Sequence, residues 1–151
     1  MPADLHPSDE RLAAALRDGG HRVTSQRLIL HRVLGELGRH ATAEEIARAA
    51  GGRLPGLSLP TVYATLELFE RLGLVRRVST GGTAVLFDPR PEPHQHFVCR
   101  RCGRVEDVEA AVDEAALAAG ARRAGLSVDD VEVLLRGLCP ACSTRASAPR
   151  A

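Results

Sequence analysis

Apolar side chains recur at helical spacing through the first half of the chain and in short strand-like runs after it. Ser8 can cap a helix to about Asp18, with Leu12, Ala15 and Leu16 on one face, and Gly19-Gly20 ends it. Thr24 or Ser25 opens a second helix, whose Leu28, Ile29, Val33, Leu34 and Leu37 form one buried stripe. Thr42-x-x-Glu45 is a capping box for a third helix to about Ala50. A turn-rich loop, 51–58, leads to Pro60 at an early helical position and to the run Thr61 to Leu72. There Val62, Leu66, Phe69 and Leu72 are spaced for a fourth helix that Gly73 closes. Leu74 to Val78 and Thr83 to Phe87 then flank Ser79-Thr80-Gly81-Gly82 and predict a hairpin. Helices two to four with that hairpin predict a winged helix-turn-helix, the first helix being an addition. A small helical domain with a decorative hairpin is the blander reading, because such folds also bind partners other than DNA.

The pattern changes at Pro89-Arg90-Pro91-Glu92-Pro93, a stiff proline-rich stretch. Beyond it, His96-Phe97-Val98, Arg104 to Val108 and Val131 to Leu135 predict three strands, and Val112 to Ala124 an Ala-rich helix. Ser143 to Ala151 reads as a frayed tail. The expected organisation is α+β: a winged-helix domain over 1–88, a linker over 89–93, and a small α+β domain over 94–151. A domain as small as the second buries little core and calls for metal or oligomeric support.

Composition sharpens this only in places. The only aromatics are Phe69, Phe87, Phe97 and Tyr63, so the core must be mostly Leu, Val and Ala. No apolar run approaches membrane-span length, and Met1 to Glu10 lacks the basic start and apolar stretch of a signal peptide. The expectation is a cytoplasmic protein without a membrane partner. Net charge is +1, which neither advertises nor excludes a nucleic-acid partner. All 20 basic residues are Arg, a side chain suited to phosphate and guanine.

The four cysteines fall as Cys99-x-x-Cys102 and Cys139-x-x-Cys142. Two such pairs in a chain without an export signal point to one structural zinc site. The competing readings are incidental thiols and two redox motifs, and the latter lack the βαβ context those motifs favour. Gly103 and Pro140 suit tight knuckle turns.

A second donor set gathers at the boundary between the halves. His94 and His96, two apart in an extended segment, point to one face and could chelate one ion. Asp88 ends the second hairpin strand, Asp107 lies on the following strand, and His40 precedes the third helix. Each has an ordinary alternative: His40 as a surface residue, Asp88 as a turn residue before proline, Glu106 and Asp107 as a solvated charged edge. Together His40, Asp88, His94, His96 and Asp107 make a mixed nitrogen and oxygen set. Such a set suits iron(II) or manganese(II) better than a structural zinc.

From Leu12 to Cys142 the chain resembles the ferric uptake regulator superfamily of bacterial metal-responsive repressors. The resemblance rests on Arg22-Val-Thr-Ser-Gln-Arg27, on Ser58-Leu-Pro-Thr-Val-Tyr63 followed by Leu66, on His94-Gln-His96-Phe-Val-Cys99-Arg-Arg-Cys102-Gly103, and on Leu138-Cys139-Pro-Ala-Cys142. It is most similar to the peroxide-sensing PerR branch. There the regulatory ion is held by residues matching His40, Asp88, His94, His96 and Asp107; the iron-sensing branch typically carries Glu at the two carboxylate positions. Two departures stand out. Ala64 occupies a recognition-helix position where many relatives have Arg or Asn. Ser127 to Val133 lacks the histidine some relatives use in a further metal site, so that site is expected to be absent or altered.

The resemblance implies a homodimeric, non-enzymatic repressor of double-stranded operator DNA, with half-sites about one helical turn apart. Its second domain would be the dimerisation domain. Zn2+ would be structural, and Fe2+ or Mn2+ regulatory. Metal and DNA would favour one closed arrangement. DNA contact would come from Pro60, Thr61 and Tyr63, with Arg22, Arg27, Arg76 and Arg77 on phosphates. Peroxide would oxidise His40 or His94 through bound iron, leaving the zinc-bound thiols as spectators; no small molecule beyond metal and peroxide is expected. The rivals are an iron- or manganese-dose sensor of the same family, a metal-dependent hydrolase, and a zinc-ribbon interaction module without DNA binding.

Overall fold

The computed structural model describes residues 7–81 and 84–146. The chain divides into two compact units between Glu92 and Pro93.

The N-terminal unit holds four helices and a hairpin: α1 (Pro7–Asp18), α2 (Ser25–Leu37), α3 (Ala43–Ala50), α4 (Leu59–Arg71), β1 (Arg76–Ser79) and β2 (Val85–Asp88). α1 starts one residue before Ser8, which therefore lies inside the first turn and not at its cap. Side-chain acceptors set the other starts. Thr24 accepts from the Arg27 backbone N–H at 3.3 Å. Thr42 accepts from Glu45 N–H at 3.2 Å while the Glu45 carboxylate accepts from Thr42 N–H at 2.8 Å, the reciprocal box expected from the sequence. Ser58 caps α4, which begins at Leu59. Gly38, at φ 58°, ends α2 in a left-handed turn that a side chain would strain.

One apolar cluster holds these helices together. It includes Leu12 and Leu16 of α1, Leu30, Val33 and Leu34 of α2, Ile46 of α3, Val62, Leu66 and Phe69 of α4, and Phe87 of β2. Each fully buried Leu or Phe contributes roughly 1.5–3 kcal/mol from burial. β1 and β2 pair antiparallel, Arg76 opposite Asp88 and Val78 opposite Leu86. Leu74 and Val75, expected on the strand, are buried without strand pairing: Leu74 N–H bonds to Phe69 O at 2.9 Å and finishes the turn after α4. Gly82 and Thr83 of the expected hairpin lie outside the described residues.

The C-terminal unit contains β3 (Gln95–Cys99), β4 (Val105–Val108), α5 (Glu114–Arg123), β5 (Leu134–Gly137) and α6 (Pro140–Ala146). The sheet order is β4-β3-β5, with β4 antiparallel and β5 parallel to β3. β5 begins at Leu134, three residues later than its apolar run suggested. Its register, His96 opposite Leu134 and Cys99 opposite Gly137, delivers the chain to the second cysteine pair. Asp113 caps α5 by accepting from Ala116 N–H at 2.8 Å. The expected tail is helical as far as Ala146; 147–151 lie outside the described residues. The buried cluster here is small: Cys99, Cys139 and Cys142, with Phe97 and Leu138 against them. Leu117, Leu126 and Leu135 are exposed by 52%, 60% and 43%.

Candidate metal centres and nucleic-acid face

The four cysteine sulfurs lie within 4.8 Å of one another. Cys102 Sγ is 3.8 Å from Cys139 Sγ. Sulfurs about 2.3 Å from a tetrahedral zinc lie roughly 3.8 Å apart, so the set fits that ion. Local backbone geometry builds the cluster. In the first knuckle Gly103 N–H bonds to Cys99 O and Cys99 N–H to Arg104 O, both at 2.9 Å, with Gly103 at φ 75°. In the second, Cys142 N–H bonds to Cys139 O at 3.0 Å in the first turn of α6. Cys139 N–H points at Cys99 Sγ from 3.4 Å, and Arg101 Nη1 donates to Cys142 O at 3.1 Å.

Those backbone donors pull the Cys99 thiol down to about 6, the Cys102 N–H most and that of Cys139 next. Burial, reinforced by the neighbouring sulfurs, pushes Cys142 up to about 12. Four sulfurs this close cannot all ionise without a cation among them, so metal binding expels protons and closes the small core.

The other donors are positioned in two groups. In the N-terminal unit Ala41 N–H bonds to Phe87 O at 3.1 Å and Phe87 N–H to Ala41 O at 2.8 Å. This two-way bond places the adjoining His40 and Asp88 side by side, with His40 Nε2 3.1 Å from Asp88 Oδ2. Asp88 is buried, and its Oδ1 accepts from Arg90 N–H at 2.8 Å, so it makes the turn expected of an Asp before proline as well. In the C-terminal unit the β3·β4 register puts Asp107 opposite His96. Asp107 Oδ1 lies 3.2 Å from His94 Nε2 and 3.8 Å from His96 Nε2. Both histidines are buried, their ring centroids 4.4 Å apart. Donors about 2.1 Å from an octahedral ion lie about 3 Å apart, so each group has the spacing and the nitrogen and oxygen chemistry that iron(II) or manganese(II) takes.

The residues expected to meet DNA are all in the N-terminal unit. Val62, Thr65, Leu66, Leu68 and Phe69 turn one side of α4 inward, leaving Pro60 and Ala64 exposed and Thr61 and Tyr63 half-buried. Thr61 Oγ1 is 2.7 Å from Ser58 Oγ. The Tyr63 hydroxyl donates to Glu44 Oε1 on α3 at 3.1 Å. Arg22 is exposed, and its carbonyl accepts from Arg27 Nη1 at 2.5 Å. Arg76 is half-buried on β1. Arg77 lies 3.1 Å from Glu70 and 3.8 Å from Glu67, 5.7 Å over the Phe87 ring. It therefore comes with carboxylate partners that spacing alone did not reveal. Glu44 was equally unforeseen: its partner is 19 residues away, and no local motif links them.

Residues 18–136 match the model of the Ferric uptake regulator family. The chain is 34% identical over 110 residues to the peroxide-responsive repressor PerR of Staphylococcus epidermidis, covering 71% of this chain and 73% of that protein. It is 36% identical over 132 residues to the transcriptional regulator FurA of Mycobacterium tuberculosis, covering 87% and 89%. The solved structure of the Pseudomonas aeruginosa ferric uptake regulator with manganese superposes with a TM-score of 0.67 at 26% identity, over 89% of this chain and 99% of that one. Among the described residues no helix is long and apolar enough to cross a membrane. The hydrolase reading falls with the family assignment, since its members are regulators and not enzymes. The chain belongs to the ferric uptake regulator family of metal-responsive transcriptional regulators.

Proposed function

We propose that this chain is a homodimeric repressor that binds double-stranded operator DNA when iron(II) or manganese(II) is bound, and that it senses peroxide. His40 and Asp88 from the N-terminal unit and His94, His96 and Asp107 from the C-terminal unit would share the regulatory ion, and Cys99, Cys102, Cys139 and Cys142 would hold zinc. An ion drawing ligands from both units restricts the angle between them, which couples metal to DNA affinity.

The observation that carries the reading is the donor geometry: two buried histidines share Asp107, and His40 shares Asp88, at spacings a divalent ion would span. Support for dimerisation comes from the exposed Leu117, Leu126 and Leu135, all in the unit with the small core, Leu135 on a sheet-edge strand. Pro60, Thr61 and Tyr63 would enter the major groove, with Arg22, Arg27, Arg76 and Arg77 toward phosphates.

Bound iron(II) supplies an electron donor for peroxide beside oxidisable imidazoles. The net change would insert one oxygen atom into a C–H bond of His40 or His94, with the peroxide reduced to water. A metal-dose sensor is the second reading, since the match to FurA, whose name states no peroxide response, is as high as that to PerR. Anaerobic loading with iron(II) or manganese(II), then promoter binding before and after peroxide, separates them. Release only from the iron form supports peroxide sensing; equal behaviour of both forms supports the dose sensor.

A further inference from the structure

The exposed side of α4 is poor in hydrogen-bond donors. From Leu59 to Glu70 the helix carries no Arg, the side chain that most often reads guanine. The polar groups at its N-terminal half are the paired Ser58 and Thr61 hydroxyls and the Tyr63 phenol. The phenol has one proton, and that proton is donated to Glu44 Oε1 at 3.1 Å. What remains on the phenol oxygen is acceptor capacity, and an ionised Glu44 beside it can only accept.

We propose that Glu44 and Tyr63 act as one acceptor unit that reads an exocyclic amino group in the major groove, adenine N6 or cytosine N4, with Glu44 the specificity-determining residue. The proposal rests on the operator-binding function proposed above. In the groove the two amino groups are the donors available to such a unit, and carboxylates pair with cytosine N4 in this way. Phosphates and the guanine N7 and O6 atoms are acceptors, which a committed phenol and a carboxylate repel. Glu44 therefore sets Tyr63 as an acceptor and penalises non-specific approach to the anionic backbone. The electrostatics agree. Glu44 is held below the usual carboxylate range, first by its own backbone N–H and then by the Tyr63 hydroxyl. The Tyr63 hydroxyl is raised, chiefly by that same bond, against the opposing charge of Arg77.

Tyr63 is the single tyrosine and there is no tryptophan, so phenolate absorbance reports on this residue alone. The test uses full-length, zinc-replete, manganese-loaded protein and a random-sequence DNA duplex library. Wild type, Glu44→Gln and Tyr63→Phe are each taken through selection. The wild type should select a motif with one step whose preference both variants lose, by about tenfold, with the double variant losing no more. At that step a synthetic duplex is made with adenine replaced by purine, or cytosine by 2-pyrimidinone, each lacking the amino group. Wild-type affinity should fall about tenfold in the arm for the base being read, and Glu44→Gln should be nearly indifferent. Glu44→Gln should also bind unselected duplex more tightly and lower the Tyr63 titration midpoint. An unchanged motif in Glu44→Gln, an unmoved titration, or wild-type affinity indifferent to the missing amino group overturns the acceptor unit while leaving operator binding intact. A wild type that selects no motif with metal bound overturns operator binding itself and the acceptor unit with it.

Discussion

Arg32 reaches from α2 to hold both carboxylate oxygens of Asp9, a residue of α1 with no exposed surface; its Nε lies 3.0 and 2.9 Å from them and its Nη2 also donates to Oδ2. A buried carboxylate is tolerated only while paired. This pair, with Leu12 and Leu16, fastens α1 to the winged helix. Arg32→Ala removes the guanidinium from this buried carboxylate and should lower the melting temperature by about 5–10 °C. In an Asp9→Asn background the same substitution should cost much less. Melting curves of the four proteins in this cycle measure the coupling, and equal costs in both backgrounds would remove the pair from the account of α1 docking.

His31 gives the N-terminal unit an acid-sensitive point. It packs edge-on against Phe69, with ring centroids 5.7 Å apart, and its buried Nδ1 has no hydrogen-bond partner among the described residues. Burial holds it below its ordinary 6.5; Asp9 opposes this shift and Arg11 adds to it. Below 6.5 the unfolded chain binds a proton that folded His31 still refuses. The neutral imidazole's contribution is therefore complete above 6.5 and is lost as pH falls toward the folded value. His31→Gln should flatten the drop in melting temperature between about pH 7.5 and about pH 5.5. Parallel pH slopes for wild type and variant would assign the acid sensitivity elsewhere.

What could be read from the sequence was local. Thr24, and Thr42 with Glu45, announce their helices because each cap bonds within three residues, and Pro60 announces the start of α4 although its cap, Ser58, reads as loop. The cysteine pairs announce a sulfur site because ligand spacing is itself local. Strand register was not readable. Leu74 and Val75 have strand-like side chains, but the turn after α4 takes their backbone into the helical core. α6 was missed because Pro140 reads equally as a knuckle turn and as a first helical residue. Two of the polar relationships that matter most, Tyr63 with Glu44 and Arg32 with Asp9, join residues 19 and 23 apart on different helices, where no periodicity links them.

The two units should respond differently to loss of zinc. The N-terminal unit has its own apolar cluster, whereas three of the buried residues at the heart of the C-terminal unit are cysteines. Without the ion their sulfurs are left crowded around a missing centre, and structural zinc is coupled to folding. Chelation, or Cys99→Ser, should abolish dimerisation and dissolve the β3·β5 pairing while most helical signal persists. Circular dichroism and sedimentation with zinc removed and restored measure both effects. A zinc-free protein that stays dimeric with protected β3 amides would show that the fold does not need the metal.

Asp107 is the residue on which metal loading and peroxide response should separate. One of its oxygens faces both His94 Nε2 and His96 Nε2, at 3.2 and 3.8 Å, because the β3·β4 register sets it opposite His96. Asp107→Ala removes the shared oxygen and leaves the two imidazoles. Iron(II) and manganese(II) affinity should fall by roughly 10–100-fold, with zinc content unchanged because the sulfur cluster is built from other residues. Asp107→Glu keeps the charge but adds a methylene on a strand whose register is fixed, so the carboxylate must approach the ion differently. That variant should still load metal and repress, but release DNA more slowly after peroxide. Metal analysis, promoter binding and peptide mass spectrometry on iron- and manganese-loaded protein read the three effects together. One added oxygen on a peptide containing His40 or His94, in the iron form only and reduced in Asp107→Glu, is the expected pattern. Oxygen on neither histidine, or identical release from both metal forms, would leave a repressor that measures metal supply and ignores peroxide.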